Sequence, residues 1–318
     1  MSEEKFEQVF QVSGPAHLIV KNIRGSVDIQ PGEDGIIQVI AVKHTESGDA
    51  KRTEVELTQE TDGTVKAVAR FPEGSIDWLF SNKPCKVDFV VRAPRKCTLK
   101  VSGVSNDAAI SGFDGEFSLN SISGDLTLSD LTGELSVNTV SGEVELAVVD
   151  GKLKLHTVSG NIKGQKTTGS VSLNTVSGDV HLSESSLSTV QAESVSGNLE
   201  LQTPLGEGPY RFHSVSGEVR LTVPAGTRCS AELHSISGRI STNLPQSYNS
   251  RHHGTEMVAV QGGGVMISLK SVSGDLFLDG DGEISPMKTV SSEERLAVLG
   301  RVKSGEITVE EALSQLHG

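Results

Sequence analysis

From about residue 100 onward, apolar and polar residues alternate in short blocks punctuated by glycine. Apolar side chains fall two, four and seven positions after each glycine: Leu135, Val137 and Val140, then Val144, Leu146 and Val149, then Leu153, Leu155 and Val158, then Val171, Leu173 and Val176. Polar residues fill the gaps, as Glu143 and Glu145 or Lys152 and Lys154 do. A period of two predicts strands with one face turned inward. The glycines at 115, 124, 133, 142, 151, 160, 169 and 178 stand nine residues apart and alternate in type. Gly124, Gly142, Gly160 and Gly178 follow Ser, whereas Gly115, Gly133, Gly151 and Gly169 follow Asp or Thr. Two kinds of tight corner are implied, and glycine suits them because it reaches positive φ without a Cβ penalty.

A marker tripeptide, Val/Ile-Ser-Gly, repeats with glycines at 103, 124, 142, 160, 178, 197, 217, 238 and 274. Their separations are 21, 18, 18, 18, 19, 20, 21 and 36, the last reading as two pitches with one marker lost. Self-similarity at a fixed period is the mark of a stacked-repeat architecture. Strand, corner, strand, corner in about 18 residues predicts a coil, and each coil adds ~4.8 Å along the axis. The fold expected is all-β: a single-chain β-solenoid, or parallel β-helix, of 18–21 residues and two strands per coil. Residues 1–100 read as an N-terminal β cap with the first coils. Their strand candidates are Leu18 to Val20, Val27 to Ile29, Ile36 to Val42, Val65 to Ala69 and Val87 to Val91. Phe71 to Pro84, with the single Trp78, reads as a surface loop, and 243–264 as an irregular insertion in the 101–280 solenoid.

The end of the chain changes period. Asp279 to Glu283 begins an acidic glycine linker, extending over 281–290. Ser291 to Glu294 and Thr308 to Glu311 are capping boxes, each followed by apolar residues at helical spacing. A small α-helical hairpin over 291–318 is expected. Its seam of Leu296, Leu299, Val302, Ile307, Leu313 and Leu316 is the candidate partner-binding surface.

Composition narrows the function. The formal net charge of −13 excludes the cationic footprint that nucleic acid requires, and it opposes docking on anionic lipid. The start, Met1 to Gly14, has neither the basic nor the apolar region of a signal peptide, and no apolar run approaches a membrane span. Cys85, Cys97 and Cys229 lack metal or disulfide spacing and read as reduced packing thiols in a cytoplasmic protein.

Several columns of the repeat carry chemistry. The corner ladder is Ser123, Gly124, Ser141, Gly142, Ser159, Gly160, Ser177, Gly178, Ser196, Gly197, Ser216, Gly217, Ser237, Gly238, Ser273 and Gly274. Two positions before each Ser stands another hydroxyl: Ser121, Thr139, Thr157, Thr175, Ser194, Ser214, Ser235 and Ser271. Stacked hydroxyls satisfy corner backbone groups; a flat hydroxyl array that orders ice is the alternative use. One position before that column stand Asn120, Asn138, His156, Asn174, Glu193, His213, His234 and Lys270, where His213 and His234 on adjacent coils would offer two imidazoles to a metal. The outward column Asp125, Glu143, Asn161, Asp179, Asn198, Glu218, Arg239 and Asp275 supplies the carboxylates that a β-helical polysaccharide lyase or hydrolase would need. Asn interleaves with them, and aromatics to stack on sugar are nearly absent. No catalytic, cofactor-binding or metal-binding residue is therefore assigned.

The repeated [ST]-[VI]-S-G-x-[LIV]-x-[LIV] pattern of residues 101–278 resembles the bacterial putative-adhesin family, also called the toastrack domain. The stretch Val90 to Pro94 is similar to the end of that family's N-terminal strands, and Glu293 to Leu313 resembles the short bihelical (SHOCT-like) segment often attached to it. The resemblance implies protein interaction and an association with envelope-stress systems of the phage-shock type. It adds a membrane-associated stress-response protein as the expected partner, met at the inner face of the membrane. Together the readings give a non-catalytic scaffold with no cofactor, docking through the hairpin. Self-association through uncovered solenoid ends, as a structural or adhesin-like assembly, is the second reading.

Overall fold

The computed structural model describes residues 2–71 and 83–281. Burial alternates along the inner strands, and two sheets share one aliphatic core. Sheet I holds the strand segments that lead into the Val-Ser-Gly corner. In spatial order these are β4 (Glu54–Gln59), β5 (Val65–Arg70), the first halves of β2 (Ala16–Pro31) and β7 (Cys97–Ser111), and β8 (Asp114–Ser123). The second halves of β9 (Leu126–Ser141), β10 (Val144–Thr157) and β11 (Ile162–Thr175) follow. The sheet ends with β13 (Ser186–Ser196), β15 (Tyr210–Ser216), β21 (Val265–Ser271), β17 (Cys229–Ser235), β20 (Thr255–Val260) and β19 (Gln246–His252).

Sheet II holds the segments that leave that corner. It runs from β1 (Glu3–Gln11), β3 (Ile36–His44) and β6 (Lys86–Ala93) through the second halves of β2 and β7. The first halves of β9, β10 and β11 come next, then β12 (Val180–Ser183), β14 (Leu199–Gln202), β16 (Val219–Pro224), β22 (Leu276–Asp281) and β18 (Ile240–Thr242). Pairing from coil to coil is parallel and in register, so that Leu135, Leu153 and Val171 stack inside. Among the described residues antiparallel pairs occur only at the ends: β1–β3, β3–β6 and β4–β5 at one, β17–β20 and β19–β20 at the other.

Spatial order departs from chain order at both ends. The coil made by β21 and β22 lies between the β15/β16 coil and the β17/β18 coil, although the chain reaches it last. The 36-residue separation is therefore not a lost marker. Residues 243–264, expected to be irregular, contain the hairpin β19–β20, which covers β17 before the chain turns back inside. The mirror arrangement holds at the start, where β5 and β6 stack outside β2. Strands β1 and β4 escaped the sequence reading because their exposed faces are crowded with Glu and Gln.

One inward assignment is overturned. Val140, Val158 and Val176 point outward, and the hydroxyls just before them point in. Strand parity requires it, for Leu135 and Val137 inside carry Thr139 inside and Val140 out. In the other half-coil a left-handed residue resets the parity. Asp130, Val148, Lys166 and Glu184 recur every 18 residues with φ of 51°, 57°, 55° and 49°, so that Val149, three after Leu146, turns inward again.

Asp279 to Asp281 do not begin a linker. They close β22, opposite Thr222, Val223 and Pro224 of β16, and Asp279 pairs with Arg220. The rest of the acidic stretch, the helical hairpin with its seam Leu296, Leu299, Val302, Ile307, Leu313 and Leu316, and Trp78 lie outside the described residues.

Candidate functional site

The Val-Ser-Gly corner is a five-residue device whose bonds recur at several coils of the stack. At Thr157 to Asn161, the buried Thr157 Oγ1 accepts the Gly160 N–H at 2.9 Å. The same bond recurs from Gly274 N–H to Ser271 and from Gly238 N–H to Ser235, both at 2.8 Å. Val158 stands out into solvent. Ser159 Oγ donates to the Val140 carbonyl one coil back, 3.2 Å away, as Ser141 does to Ile122 and Ser273 to Val215. Gly160 follows, and Asn161 Oδ1 accepts the Asp179 N–H of the next coil at 3.0 Å. At the neighbouring corner Gly142 sits at φ +121°, where a Cβ would collide with the Gly124 carbonyl.

The outward acidic column is absorbed by this architecture. Asp125, Asp179, Asn198 and Asp275 each accept a backbone N–H of the adjacent coil through Oδ1, at 2.8–2.9 Å. These side chains are anchors for the stack, and the column's two glutamates, Glu143 and Glu218, are held by Lys163 and Arg220; none forms a pair poised across a cleft as glycoside hydrolysis requires. The geometry opposes the ice-ordering use as well, since one hydroxyl column is buried and Ser141, Ser159, Ser237 and Ser273 of the other donate to carbonyls.

The column with the two histidines is reordered by the interleaved coil. Lys270 stands between His213 and His234, in register with both, so the imidazoles are not neighbours. Among the described residues no three His, Cys, Asp or Glu side chains gather as metal ligands. Elsewhere in the column Asn138 donates to Asn120 at 3.2 Å. Arg251 and Asn249 do have a function in the hairpin: both bond the buried Glu256, Arg251 Nε at 3.0 Å and Asn249 Nδ2 at 2.8 Å.

Burial pushes the Cys97 thiol up to about 12 and the Cys229 thiol up to about 11. Cys85 is also free and buried. An open groove of about 780 Å³ lies where β2, β5 and β7 meet, rimmed by Lys21, Lys66, Arg70 and Lys100. Glu60 holds Lys66, and Glu56 holds Arg70 at 2.9 Å.

What the corner leaves unspent is aliphatic. Ile122, Val140, Val158, Val176, Val195, Val215, Val272 and Ile236 form one ladder in spatial order, each 38 % to 71 % exposed. Sequence reasoning missed this ladder by assigning Val140, Val158 and Val176 to the core. The available signal was the parity count from Leu135. Among the described residues no helix is long and apolar enough to cross a membrane.

The family model described as Toastrack DUF4097 matches residues 16–279. Comparison with curated proteins finds no match. Among solved structures, a putative adhesin from Parabacteroides distasonis is similar at 12% identity and a TM-score of 0.42, over 87% of this chain and 97% of that one. A putative lipid binding protein from the same organism is similar at 10% identity and a TM-score of 0.41, over 86% and 96%. A putative adhesin from Bacteroides fragilis is similar at 12% identity and a TM-score of 0.38, over 87% and 97%.

Proposed function

This chain belongs to the Toastrack DUF4097 family, and we propose that it is a non-catalytic scaffold for protein–protein interaction in a bacterial envelope-stress system. One observation carries the reading. The Asp and Asn members of the outward polar ladder are bonded to the solenoid's own backbone, and its glutamates are held in ion pairs. An array so engaged stiffens a surface rather than activating a substrate. Buried reduced thiols favour a cytoplasmic setting, with recruitment to the inner face of the membrane by the partner. In this proposal the docking element is the apolar seam of the C-terminal segment, Leu296, Leu299, Val302, Ile307, Leu313 and Leu316.

The test is affinity capture from the native cell, membrane and soluble fractions kept apart, with the full chain and its Leu299→Asp/Leu313→Asp variant. A membrane protein held by the first and lost by the second is expected. Equal capture by both removes the seam as the docking element. Recovery of the bait alone overturns the scaffold reading.

A further inference from the structure

We propose that the aliphatic ladder is a contact surface between two copies of this chain, lying side by side with their solenoid axes parallel. The ladder presents one β-branched side chain per coil from Ile122 to Ile236, at an interstrand spacing of ~4.8 Å. An α-helix repeats along its axis every ~5.4 Å and drifts out of step within a few turns. A strand lying along the ladder repeats on one face every ~6.8 Å and drifts faster. A second copy of this ladder has the same period throughout its length.

The flanking columns select the orientation. On one side of the ladder stand Asn138, Asn174, His213 and Lys270; on the other stand Glu143, Asp179, Glu218 and Asp275. A two-fold axis along the ladder keeps every coil level with its own copy and swaps the flanks. Asn138 then meets Glu143, Asn174 meets Asp179, His213 meets Glu218 and Lys270 meets Asp275, while the coils between set His156 against Asn161 and Glu193 against Asn198. The alternative two-fold, across the ladder, sets each flank against itself and brings the carboxylate column onto its own copy. Opposite charges across a contact fix register, and like charges penalise the wrong one. Only the last coil is unfavourable, where His234 would face Arg239.

The area suffices. Eight coils span roughly 35–40 Å, and three columns are ~20 Å wide, giving roughly 800 Å² per copy, the size of a standard interface. With 13 net negative charges on each copy, long-range repulsion opposes the apolar contact. Salt screens that repulsion, so the association strengthens as ionic strength rises.

Sedimentation equilibrium of the full chain tests this, up to about 100 μM, a range suited to an interface of ordinary size. A dimer is expected, weakened at least tenfold by Val158→Lys/Val176→Lys. Both positions are exposed, so the thermal transition of that variant should match the parent and show that it is folded. Leu299→Asp/Leu313→Asp should leave the dimer intact; if it alone breaks the dimer, the contact lies in the C-terminal segment and the proposal fails. Orientation is read by oxidation: Asn138→Cys/Glu143→Cys should cross-link two copies efficiently, and Asn138→Cys alone should not, with the three native thiols buried and silent. Efficient linkage through Asn138→Cys alone would overturn the parallel arrangement. A parent monomeric at the highest concentration, or a dimer indifferent to the lysines, would overturn the ladder as the contact.

Discussion

Val148 holds a left-handed backbone, φ 57°, that β-branched residues avoid, with its side chain in solvent. Asp130, one coil away at the same corner, is a residue type that tolerates it. Val148→Asn loses no packing and relieves strain, so it should raise stability by about 1 kcal/mol in urea unfolding. Gly142 carries the opposite lesson. Its positive φ and the Gly124 carbonyl beneath it both exclude a Cβ. Gly142→Ala should cost about 3 kcal/mol. Gly63→Ala, at φ +86° but in open space, should cost only about 1 kcal/mol and separates the backbone strain from the collision. The buried thiols govern alkaline behaviour. Cys97 and Cys229 have folded pKa values raised from 9.0 to about 12 and about 11. The unfolded chain therefore releases their protons first, and it binds fewer protons than the native state above pH ~9. Stability from these two groups is intact below that value and falls as pH rises toward 11–12, a loss that Cys97→Ala/Cys229→Ala should blunt in urea melts taken at pH 8 and pH 10.5.

At the scale of elements, the interleaved coil decides what opens first. β21 and β22 are paired on both sides, by β15 and β17 and by β16 and β18, whereas β18 has three residues and β19 has no buried one. Amides in the β21/β22 coil should therefore exchange at least tenfold more slowly than those of β18 and β19, although the chain places them nearer the C-terminal end of the stack. Equal or faster exchange in β21 and β22 would contradict the interleaving. The sequence carried the pitch and the strand alternation because both are local: each glycine and each aliphatic pair repeats within one coil. It could not carry the order of coils in space. A Val-Ser-Gly marker at 274 looks the same whether its coil is last or last but one, and so the apparent neighbours His213 and His234 proved to be separated by Lys270. The candidate site was misread for a subtler reason. Val140 is as apolar as Val137, and only counting parity from Leu135 shows that one faces solvent.

The whole stack faces the hazard of any open sheet, an edge that can recruit another chain. Antiparallel strands are laid over the parallel coils at both ends of sheet I and at the first end of sheet II, whose other end is the short parallel strand β18. β1 covers β3 along nine residue pairs, from Glu3 opposite His44 to Gln11 opposite Ile36, and places Glu3, Glu4, Lys5 and Glu7 on the outer rim. β4, with Glu54 and Glu56, does the same for β5. At the other end β19 is polar throughout, and β18 is too short to template a partner. Such edges disfavour end-to-end growth and leave lateral pairing through the aliphatic ladder as the association that the surface permits. Removing residues 1–12 would uncover β3, whose Ile37, Val39 and Ala41 sit in the core while its hydrogen-bonding edge, now held by β1, turns to solvent. That variant should form concentration-dependent polymers, seen as growing scattering and as filaments in negative stain, under conditions where the full chain stays monodisperse. Restoring the strand with Phe6 and Phe10 kept but Glu3, Glu4 and Glu7 changed to Thr separates covering from charge. If that strand still seals β3, its rim, left with Lys5 alone, should polymerise slowly rather than not at all, because a paired edge with little charge remains a template. Filaments from the unaltered chain at comparable concentration would instead mean that these ends are not closed.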